Sequence, residues 1–382
     1  MRLILHVGTE KTGSTAIQQH LLINRETLAE RGVHLCRSLG GGNHRALVAA
    51  FMPPDTLDDF LRAQNLADAE QRAVWAAGVL DGFAVEVAAA KADAGMETVV
   101  VSSEHFHSRL LEPDSVTRLA TFLDGLFTDV SVICYLRRQD QMALSFYSQK
   151  LRAGFVPPEI LPLSKVRRRA DSLPPYFDFD SLLHRWSEAF GASRMRPRLY
   201  QTDSLAGGDV VEDFFQAAGL GVPDSRLPRA ANPSLCRASQ VALRLFNAQC
   251  GGYDPATRDR HSARRRALVD YLERTGGDDR GQLPTRDEAQ AFYAAFASSN
   301  ARVAARWFQR ESLFNEDFSA YPDTSQPVDW EDAATRLAGF MVEEGEREAL
   351  ARAEADARAT KELDAAEAAQ PAAARGSTAG EA

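Results

Sequence analysis

A short loop near the start of the chain, VGTEKTGST over residues 7–15, has the residue types of a phosphate-binding turn. It follows the apolar run at residues 3–6, which predicts a β-strand, and a helix is expected to begin at Ser14 or Thr15. A turn of small residues between a strand and a helix directs backbone N–H groups and the helix N-terminus at one place. The sequence therefore predicts an anion site at this turn.

The lysine of the loop does not occupy the position that it has in ATP- and GTP-binding loops. The Walker A pattern G-x-x-x-x-G-K-[ST] is kept at Gly8 and Gly13, but Ser14 stands at the lysine position. Lys11 is the lysine of this loop and precedes Gly13 by two residues. The lysine therefore lies in the loop itself, before Gly13, and not in the first turn of the helix as in the Walker A pattern.

Two more polar clusters follow predicted strands. Glu104 and His105 come soon after the β-branched run at 98–101, and Arg137 directly follows the apolar run at 130–136. The carboxyl ends of parallel strands meet at one edge of a sheet, so these side chains should lie near the first loop. Ser145 follows Arg137 by eight residues on the next predicted helix, where an arginine and a hydroxyl can grip one phosphate from two sides.

Apolar runs alternate with helical patterns along most of the chain. Strands are predicted at 33–36, 98–101, 130–136 and 198–200, and helices at 57–94, 115–126, 182–191 and 210–218. Asp140 is expected to cap the helix that runs through Leu151. This alternation predicts an α/β fold with a central parallel sheet flanked by helices and a mostly helical C-terminal elaboration. We expect an α/β domain over 1–330 and an Ala/Glu-rich tail over 331–382, helical and then disordered.

Composition narrows the class of protein. The chain has 382 residues and a net charge of −9, which argues against general nucleic-acid binding. Its four cysteines form no CxxC pair, so buried thiols are expected and no metal site is predicted. The start of the chain leaves no room for a signal peptide, and the apolar segment at 74–94 is interrupted by Asp81, Glu86 and Lys91. A cytoplasmic protein without a transmembrane segment is therefore expected; the oligomeric state is left open.

The chain resembles the sulfotransferases that use 3′-phosphoadenosine-5′-phosphosulfate (PAPS), in particular bacterial members similar to carbohydrate sulfotransferases. The loop from Gly8 to Thr15 looks like their 5′-phosphosulfate loop, and Arg137 with Ser145 looks like their 3′-phosphate motif. The resemblance extends loosely to about residue 317. It implies a P-loop-like fold and transfer of a sulfonate group to an acceptor hydroxyl, most readily on a carbohydrate or glycolipid.

The resemblance also assigns roles within the site. Lys11 would stabilise the leaving nucleotide, and Thr12, Gly13, Ser14 and Thr15 would donate hydrogen bonds to the 5′-phosphate. The residue expected to take the acceptor proton is Glu104, since related carbohydrate enzymes place a glutamate after the corresponding strand. His105 and His107 are the rival bases, because an unperturbed imidazole titrates near 6.5. No metal is expected.

Two alternative functions stand beside this one. A P-loop kinase or NTPase would use the same kind of turn, but it normally needs the GK[ST] lysine and a magnesium-binding carboxylate, for which we find no clear candidate. A non-catalytic nucleotide- or glycan-binding module would keep the fold without the chemistry.

Two surface features are also ambiguous: the 40–45 loop with His44 and Arg45 could contact an acceptor, and a basic cluster at 258–266 could attract an anionic polymer.

Overall fold

The structure is a computed structural model and describes residues 1–168, 174–222, 235–253, 261–277 and 279–369. Its strands are β1 (Arg2–His6), β2 (Val33–Leu35), β3 (Thr98–Ser102), β4 (Asp129–Leu136) and β5 (Met195–Leu199). Its helices are α1 (Ser14–Ile23), α2 (Arg25–Glu30), α3 (Arg45–Phe51), α4 (Asp59–Ala63), α5 (Ala69–Ala92), α6 (His105–Arg109), α7 (Pro113–Leu126), α8 (Gln139–Arg152), α9 (Leu163–Arg168), α10 (Phe179–Phe190), α11 (Val210–Ala217), α12 (Arg237–Gln249), α13 (Ser262–Arg274), α14 (Arg286–Ala294), α15 (Ala297–Val303) and α16 (Trp330–Ala369).

The five strands form one parallel sheet in the order β2-β3-β1-β4-β5. β1 lies between β3 and β4, so the chain passes to one side of β1 first and to the other side afterwards. Such a reversal leaves a crevice at the carboxyl ends of the central strands, where ligands bind in open α/β sheets. The predicted α/β class with a P-loop-like central parallel sheet is confirmed.

The core consists of two apolar layers, one on each face of the sheet. Leu3 and Leu5 of β1 point into the larger layer, whereas Ile4 points into the smaller layer beneath α1 and α11. This is the period-two alternation of a strand that is covered on both sides. Both layers hold the backbone of β1 fixed, and the loop that follows it therefore starts from a rigid point.

Several predicted elements are interrupted in the structure. The helix predicted to begin at Ser14 or Thr15 ends at Ile23 and a second helix follows from Arg25; between them, the Asn24 side chain donates to the His20 carbonyl at 2.9 Å. The helix expected over 57–94 is two helices, separated at Asn65, which has a left-handed φ of 57°. In both places an asparagine supplies local hydrogen bonding or a conformation that competes with the helix.

The predicted Asp140 cap is wrong. Arg138 is the N-terminal boundary residue of α8, and no side chain caps that end. Asp140 is instead fully buried in a bidentate ion pair with Arg138, at 2.8 and 2.9 Å, and also accepts from the Tyr321 hydroxyl. Arg138 also donates to the carbonyls of Asn315 and Asp317 at 2.8 and 2.7 Å. This cluster ties the end of β4 to the segment around residue 317.

Helix α5 is the longest helix beside the sheet and is largely exposed. An 18-residue window within it has a mean hydropathy of 1.5, so by length and composition the helix could cross a membrane. This differs from the expectation drawn from its charged residues. Only 17% of the window is buried, although Phe83 and Val87 pack into the larger core layer and Glu86 accepts from the backbone N–H groups of Arg37 and Ser38.

The C-terminal elaboration is helical over α12–α16, as predicted. Ala333 and Phe340 of α16 pack into a third apolar cluster with α8, α12 and α13. Residues 370–382, which include the part of the tail expected to be disordered, lie outside the described residues. Cys36, Cys134 and Cys236 are buried, which confirms the expectation of buried thiols at those three positions.

Candidate active site

The first loop leaves β1 at the crevice and is fastened to the neighbouring strand. The Val7 N–H donates to the Ile133 carbonyl at 2.8 Å, and the Thr9 hydroxyl donates to the Tyr135 carbonyl at 2.7 Å. The Thr12 hydroxyl donates to the Thr9 carbonyl at 2.6 Å and closes the turn on itself. The Thr12 hydroxyl is therefore already engaged, and the donor that Thr12 can offer to an anion is its backbone N–H.

The N-terminus of α1 lacks an internal partner for its polar groups. Gly13 precedes the helix with a left-handed φ of 79°, and no side chain caps the first turn. The Ser14 side chain is buried at 5% exposure, and its hydroxyl has no hydrogen-bond partner among the described residues. A Cβ on Gly8 would lie 2.6 Å from Ser14 Oγ, so glycine is needed where the loop backbone approaches this hydroxyl. Unpaired donors at a helix N-terminus are suited to a phosphate.

Lys11 has a strained backbone that a second site residue holds in place. Its φ is 70°, a left-handed conformation that costs a non-glycine residue about 1 kcal/mol or more. Arg137 Nη1 donates to the Lys11 carbonyl at 2.8 Å, and this contact brings two predicted site residues together. Burial lowers the pKa of the Lys11 ammonium, while the carboxylate of Glu10 opposes that effect.

The Arg137 guanidinium has a donor group that makes no hydrogen bond to the described residues. Its Nε is buried without a partner among the described residues, and its guanidinium lies 5.4 Å from the centre of the Tyr200 ring. Burial lowers the pKa of Arg137, but arginine stays protonated in proteins. Ser145 lies on α8 and is half-buried, with no hydrogen bond to Arg137 within the described ranges. A phosphate between the two would meet a cation and a hydroxyl.

Glu104 lies directly before α6 and is held by neutral amide groups. Asn43 Nδ2 donates to both carboxylate oxygens at 3.1 Å, and Gln18 Nε2 donates to Oε2 at 2.8 Å. Its side chain is 20% exposed, so the carboxylate is accessible from the crevice. Sequence reasoning missed both amides, although the Gly-Gly-Gly-Asn run ending at Asn43 marked a loop of unusual freedom.

The two rival histidines differ in position. His105 Nε2 lies 3.8 Å from Glu104 Oε1, and burial lowers the pKa of this imidazole. His107 is 1% exposed and contacts the Tyr176 carbonyl through Nε2 at 3.1 Å. Burial lowers the pKa of His107 to about 4, so it is neutral at pH 7 and enclosed by protein. Of the two, His105 lies beside the predicted base.

A second carboxylate in the site escaped the sequence analysis. Glu10, next to Lys11, is 8% exposed and accepts from the Tyr176 hydroxyl at 2.9 Å. Burial alone would raise the pKa of Glu10, but hydrogen bonding, including that from the Tyr176 hydroxyl, together with the nearby His107 and His105 outweighs it, so the pKa is lowered. Glu10 therefore remains ionised and places a fixed negative charge beside the lysine. Its position in the loop was visible in the sequence, whereas its contact with Tyr176 depends on the fold.

The two ambiguous surface features are resolved for the described residues. His44 is fully buried, and its Nδ1 accepts from the Ser102 N–H at 2.9 Å, so it fastens the 40–45 loop to β3. Arg45 pairs with Asp58 at 2.7 Å. In the basic cluster, Arg265 is buried against Asn247 and Arg264 pairs with Glu344, while Arg258 and Arg260 lie outside the described residues.

The fold and this loop define a P-loop-like α/β protein whose polar crevice lies at the carboxyl edge of the sheet. Across the described ranges, no group of three His, Cys, Asp or Glu side chains is arranged to hold a metal ion. No family model matches the chain.

Comparison with known proteins finds distant relatives. An uncharacterized protein from Archaeoglobus fulgidus is 28% identical over 221 residues, which is 56% of this chain and 55% of that protein. The chain thus spans about half the length of the curated relative that it matches. Among solved structures it is similar to a sulfotransferase from Alicyclobacillus acidocaldarius, with a TM-score of 0.38 and 16% identity over 64% of this chain and 91% of the other. It is also similar to a sulfotransferase domain from the curacin biosynthetic pathway, with a TM-score of 0.31 and 11% identity over 88% and 97% of the two chains.

Proposed function

We propose that this protein is a sulfotransferase that moves the sulfonate group of PAPS to an acceptor hydroxyl. The observation that carries the proposal is the position of Lys11, in the turn and with its carbonyl held by Arg137 at 2.8 Å. In the proposed complex a lysine there would face the oxygen that bridges the 5′-phosphate and the group being transferred. A sulfonate carries less charge than a terminal phosphate, so one cation can serve where phosphoryl transfer recruits a lysine and a metal.

The donor would occupy the crevice with each phosphate on its own set of groups. The 5′-phosphate would rest on the N–H groups of Thr12, Gly13, Ser14 and Thr15 together with the Ser14 hydroxyl. The 3′-phosphate would meet Arg137 and Ser145. The support for this arrangement is the unpartnered Ser14 hydroxyl and Arg137 Nε, which are buried donors that a phosphate oxygen would satisfy.

The transfer would proceed in one in-line step. The acceptor oxygen forms a bond to sulfur as the bond from sulfur to the bridging phosphate oxygen breaks. Glu104 takes the acceptor proton, and Lys11 stabilises the negative charge that develops on the leaving nucleotide. The accessible carboxylate of Glu104 supports this role, whereas Glu10 is buried and bonded to Tyr176. His105 is the alternative base, since it lies beside Glu104.

The acceptor is proposed to be a carbohydrate or glycolipid hydroxyl, on the family resemblance alone. The cytoplasm is proposed as the compartment in which donor and acceptor meet. No metal takes part in the proposed step.

The test is transfer of ³⁵S from labelled PAPS to a panel of glycans and glycolipids in the presence of EDTA. Wild type should label at least one acceptor, and Lys11→Ala should lose transfer by 100-fold or more, about 3 kcal/mol of transition-state stabilisation. Lys91→Ala is the matched control, because Lys91 is exposed at the end of α5. A strict requirement for magnesium and ATP would show a P-loop kinase or NTPase instead. Tight donor binding with no transfer to any acceptor would favour a binding module.

A further inference from the structure

The carboxylate of Glu104 differs from the fully buried carboxylates of Asp140 and Asp213 in the type of its hydrogen-bond donors. Asp140 pairs with Arg138, and Asp213 pairs with Arg198. Glu104 instead accepts its hydrogen bonds from Asn43 and Gln18. A guanidinium stabilises the ionised form by a full charge and so weakens a base, whereas an amide orients the carboxylate with a smaller loss of basicity.

The orientation of the Asn43 amide is fixed from both of its ends. The Ser103 hydroxyl donates to Asn43 Oδ1 at 2.7 Å, and Asn43 Nδ2 donates to both oxygens of Glu104. The Ser103 oxygen in turn accepts from the His105 N–H at 3.3 Å. The Asn43 amide therefore accepts from Ser103 and donates to Glu104. If the amide were flipped, its oxygen would face the carboxylate and the bonds to Glu104 would be lost.

The Gln18 amide is placed by the close approach of the glycine loop to α1. A Cβ on Gly42 would lie 3.3 Å from the Gln18 carbonyl oxygen, so the loop packs tightly against the helix at this point. Gln18 Nε2 also lies 3.4 Å from the Ser102 hydroxyl, which contacts His6 Nδ1 at 2.8 Å. Gln18 thus reaches Glu104 from a helix that begins in the phosphate loop.

We propose that Asn43 and Gln18 are positioning residues, which hold the Glu104 carboxylate directed at the acceptor hydroxyl. The proposal rests on the function proposed above and gives the Gly-Gly-Gly-Asn loop a role in the reaction. Because Gln18 and Ser14 share α1, the base and the phosphate loop are placed by one rigid element. Small displacements of a catalytic group cost large factors in rate, so this shared support would matter for the transfer step.

The environment of Glu104 contains several other ionisable groups. Lys11, His105 and Tyr176 interact with the Glu104 carboxylate, and Glu10, Arg45 and Arg109 act in turn on one or more of those three groups. None of them is altered by a substitution at Asn43. A change in the titration of Glu104 in an Asn43 variant can therefore be assigned to the lost or altered amide contact.

The experiment is a carbon-13 NMR titration of the glutamate carboxyl carbons in the full chain, with Glu104 assigned by its absence in Glu104→Gln. Asn43→Asp places a second carboxylate within hydrogen-bond distance of Glu104, and the midpoint of Glu104 should move up by about one pH unit or more. Asn43→Ala and Gln18→Met remove donors to the ionised form and should each move it up by a smaller amount. Asn65→Asp is the matched control, an exposed asparagine on which the same charge change should have no effect.

Two readouts separate this inference from the proposed function. The titration needs no acceptor, and binding of adenosine 3′,5′-bisphosphate, followed by calorimetry, reports on the donor site alone. With any acceptor that the transfer assay identifies, Asn43→Ala should lower kcat tenfold or more, leave donor affinity unchanged, and shift the acid limb of the pH–rate profile upwards. An unchanged Glu104 midpoint in Asn43→Asp and Gln18→Met would overturn the inference, even if the wild type transfers sulfonate. Failure of the wild type to bind the nucleotide would overturn the proposed function but not the titration result.

Discussion

Replacing Gly8 by alanine tests whether the phosphate loop depends on close contact between its own backbone at Gly8 and the Ser14 hydroxyl. The new Cβ would lie 2.6 Å from Ser14 Oγ and 3.4 Å from the ring of His6. Real Cβ atoms do not approach an oxygen this closely, so the hydroxyl must rotate away or the loop backbone must shift. Overpacking of this kind costs about 1–3 kcal/mol of the free energy of unfolding. The rotated hydroxyl would also leave the position from which it could bind a phosphate.

Two measurements follow from this substitution. Urea unfolding, monitored by circular dichroism, should show a loss in Gly8→Ala of about 1–3 kcal/mol. Affinity for adenosine 3′,5′-bisphosphate, measured by calorimetry, should fall by tenfold or more, because a hydrogen bond to a charged group is worth about 1.5–3 kcal/mol. Gly78→Ala is the control: Gly78 is exposed in α5 with nothing within 4 Å of an added Cβ. That variant should gain up to about 1 kcal/mol and keep its affinity.

A double variant provides the decisive comparison. In Gly8→Ala/Ser14→Ala the clashing oxygen is gone, so the free energy of unfolding should return close to the wild-type value while nucleotide affinity stays low. Equal destabilisation of the single and double variants would refute the reasoning, because the loss would then come from some contact other than that with Ser14. Wild-type affinity in Ser14→Ala would refute the assignment of its hydroxyl to a phosphate.

Three further predictions concern the rest of the site and its support. Asp140→Asn leaves the buried Arg138 guanidinium without its counter-charge and should lower the free energy of unfolding by about 3–5 kcal/mol in urea titrations; a loss below 1 kcal/mol would contradict this account. In Arg137→Lys the single ammonium group cannot both donate to the Lys11 carbonyl and make paired hydrogen bonds to a phosphate. Calorimetry should therefore show at least a tenfold loss of nucleotide affinity, with little change in stability. Acidification should destabilise the protein between pH 6.5 and about 4. Burial holds the pKa of three histidines in the folded protein below its unfolded value, so the unfolded chain binds more protons as the pH falls. The free energy of unfolding should drop by about 2 kcal/mol per histidine at pH 5. Those histidines are His6, His44 and His107, with pKa values of about 3, 4 and 4, and a urea midpoint that is constant from pH 7 to pH 5 would contradict the prediction.

The parts of the fold that could be predicted are those set by local pattern. The strands at Thr98–Ser102 and Asp129–Leu136 were visible because a strand covered on both faces is a continuous apolar run. The loop at Gly8 was visible because Gly8 and Gly13 keep the Walker A spacing directly after an apolar run. Helix ends were harder to predict, since Asn24 and Asn65 interrupt helical patterns through side-chain and backbone bonding that composition does not reveal.

The parts of the site that could not be predicted depend on contacts between distant residues. Asn43 meets Glu104 across 61 positions of the chain, and Tyr176 meets Glu10 across 166. Asp140 looked like a helix cap because an aspartate just before a helical pattern often is one. Its actual partners include Tyr321, which no local pattern places nearby. The sequence thus predicts which residue types collect at the carboxyl edge, and the fold decides which of them are bonded to each other.

The contact between Arg137 and the Lys11 carbonyl has a consequence for engineering. The two residues come from different strand ends, yet one hydrogen bond makes the position of each a condition for the other. The loop and the strand end are therefore not interchangeable parts. In a chimaera that takes residues 7–15 from a relative, the backbone conformation at Lys11 should be preserved only if the residue at 137 comes from the same parent.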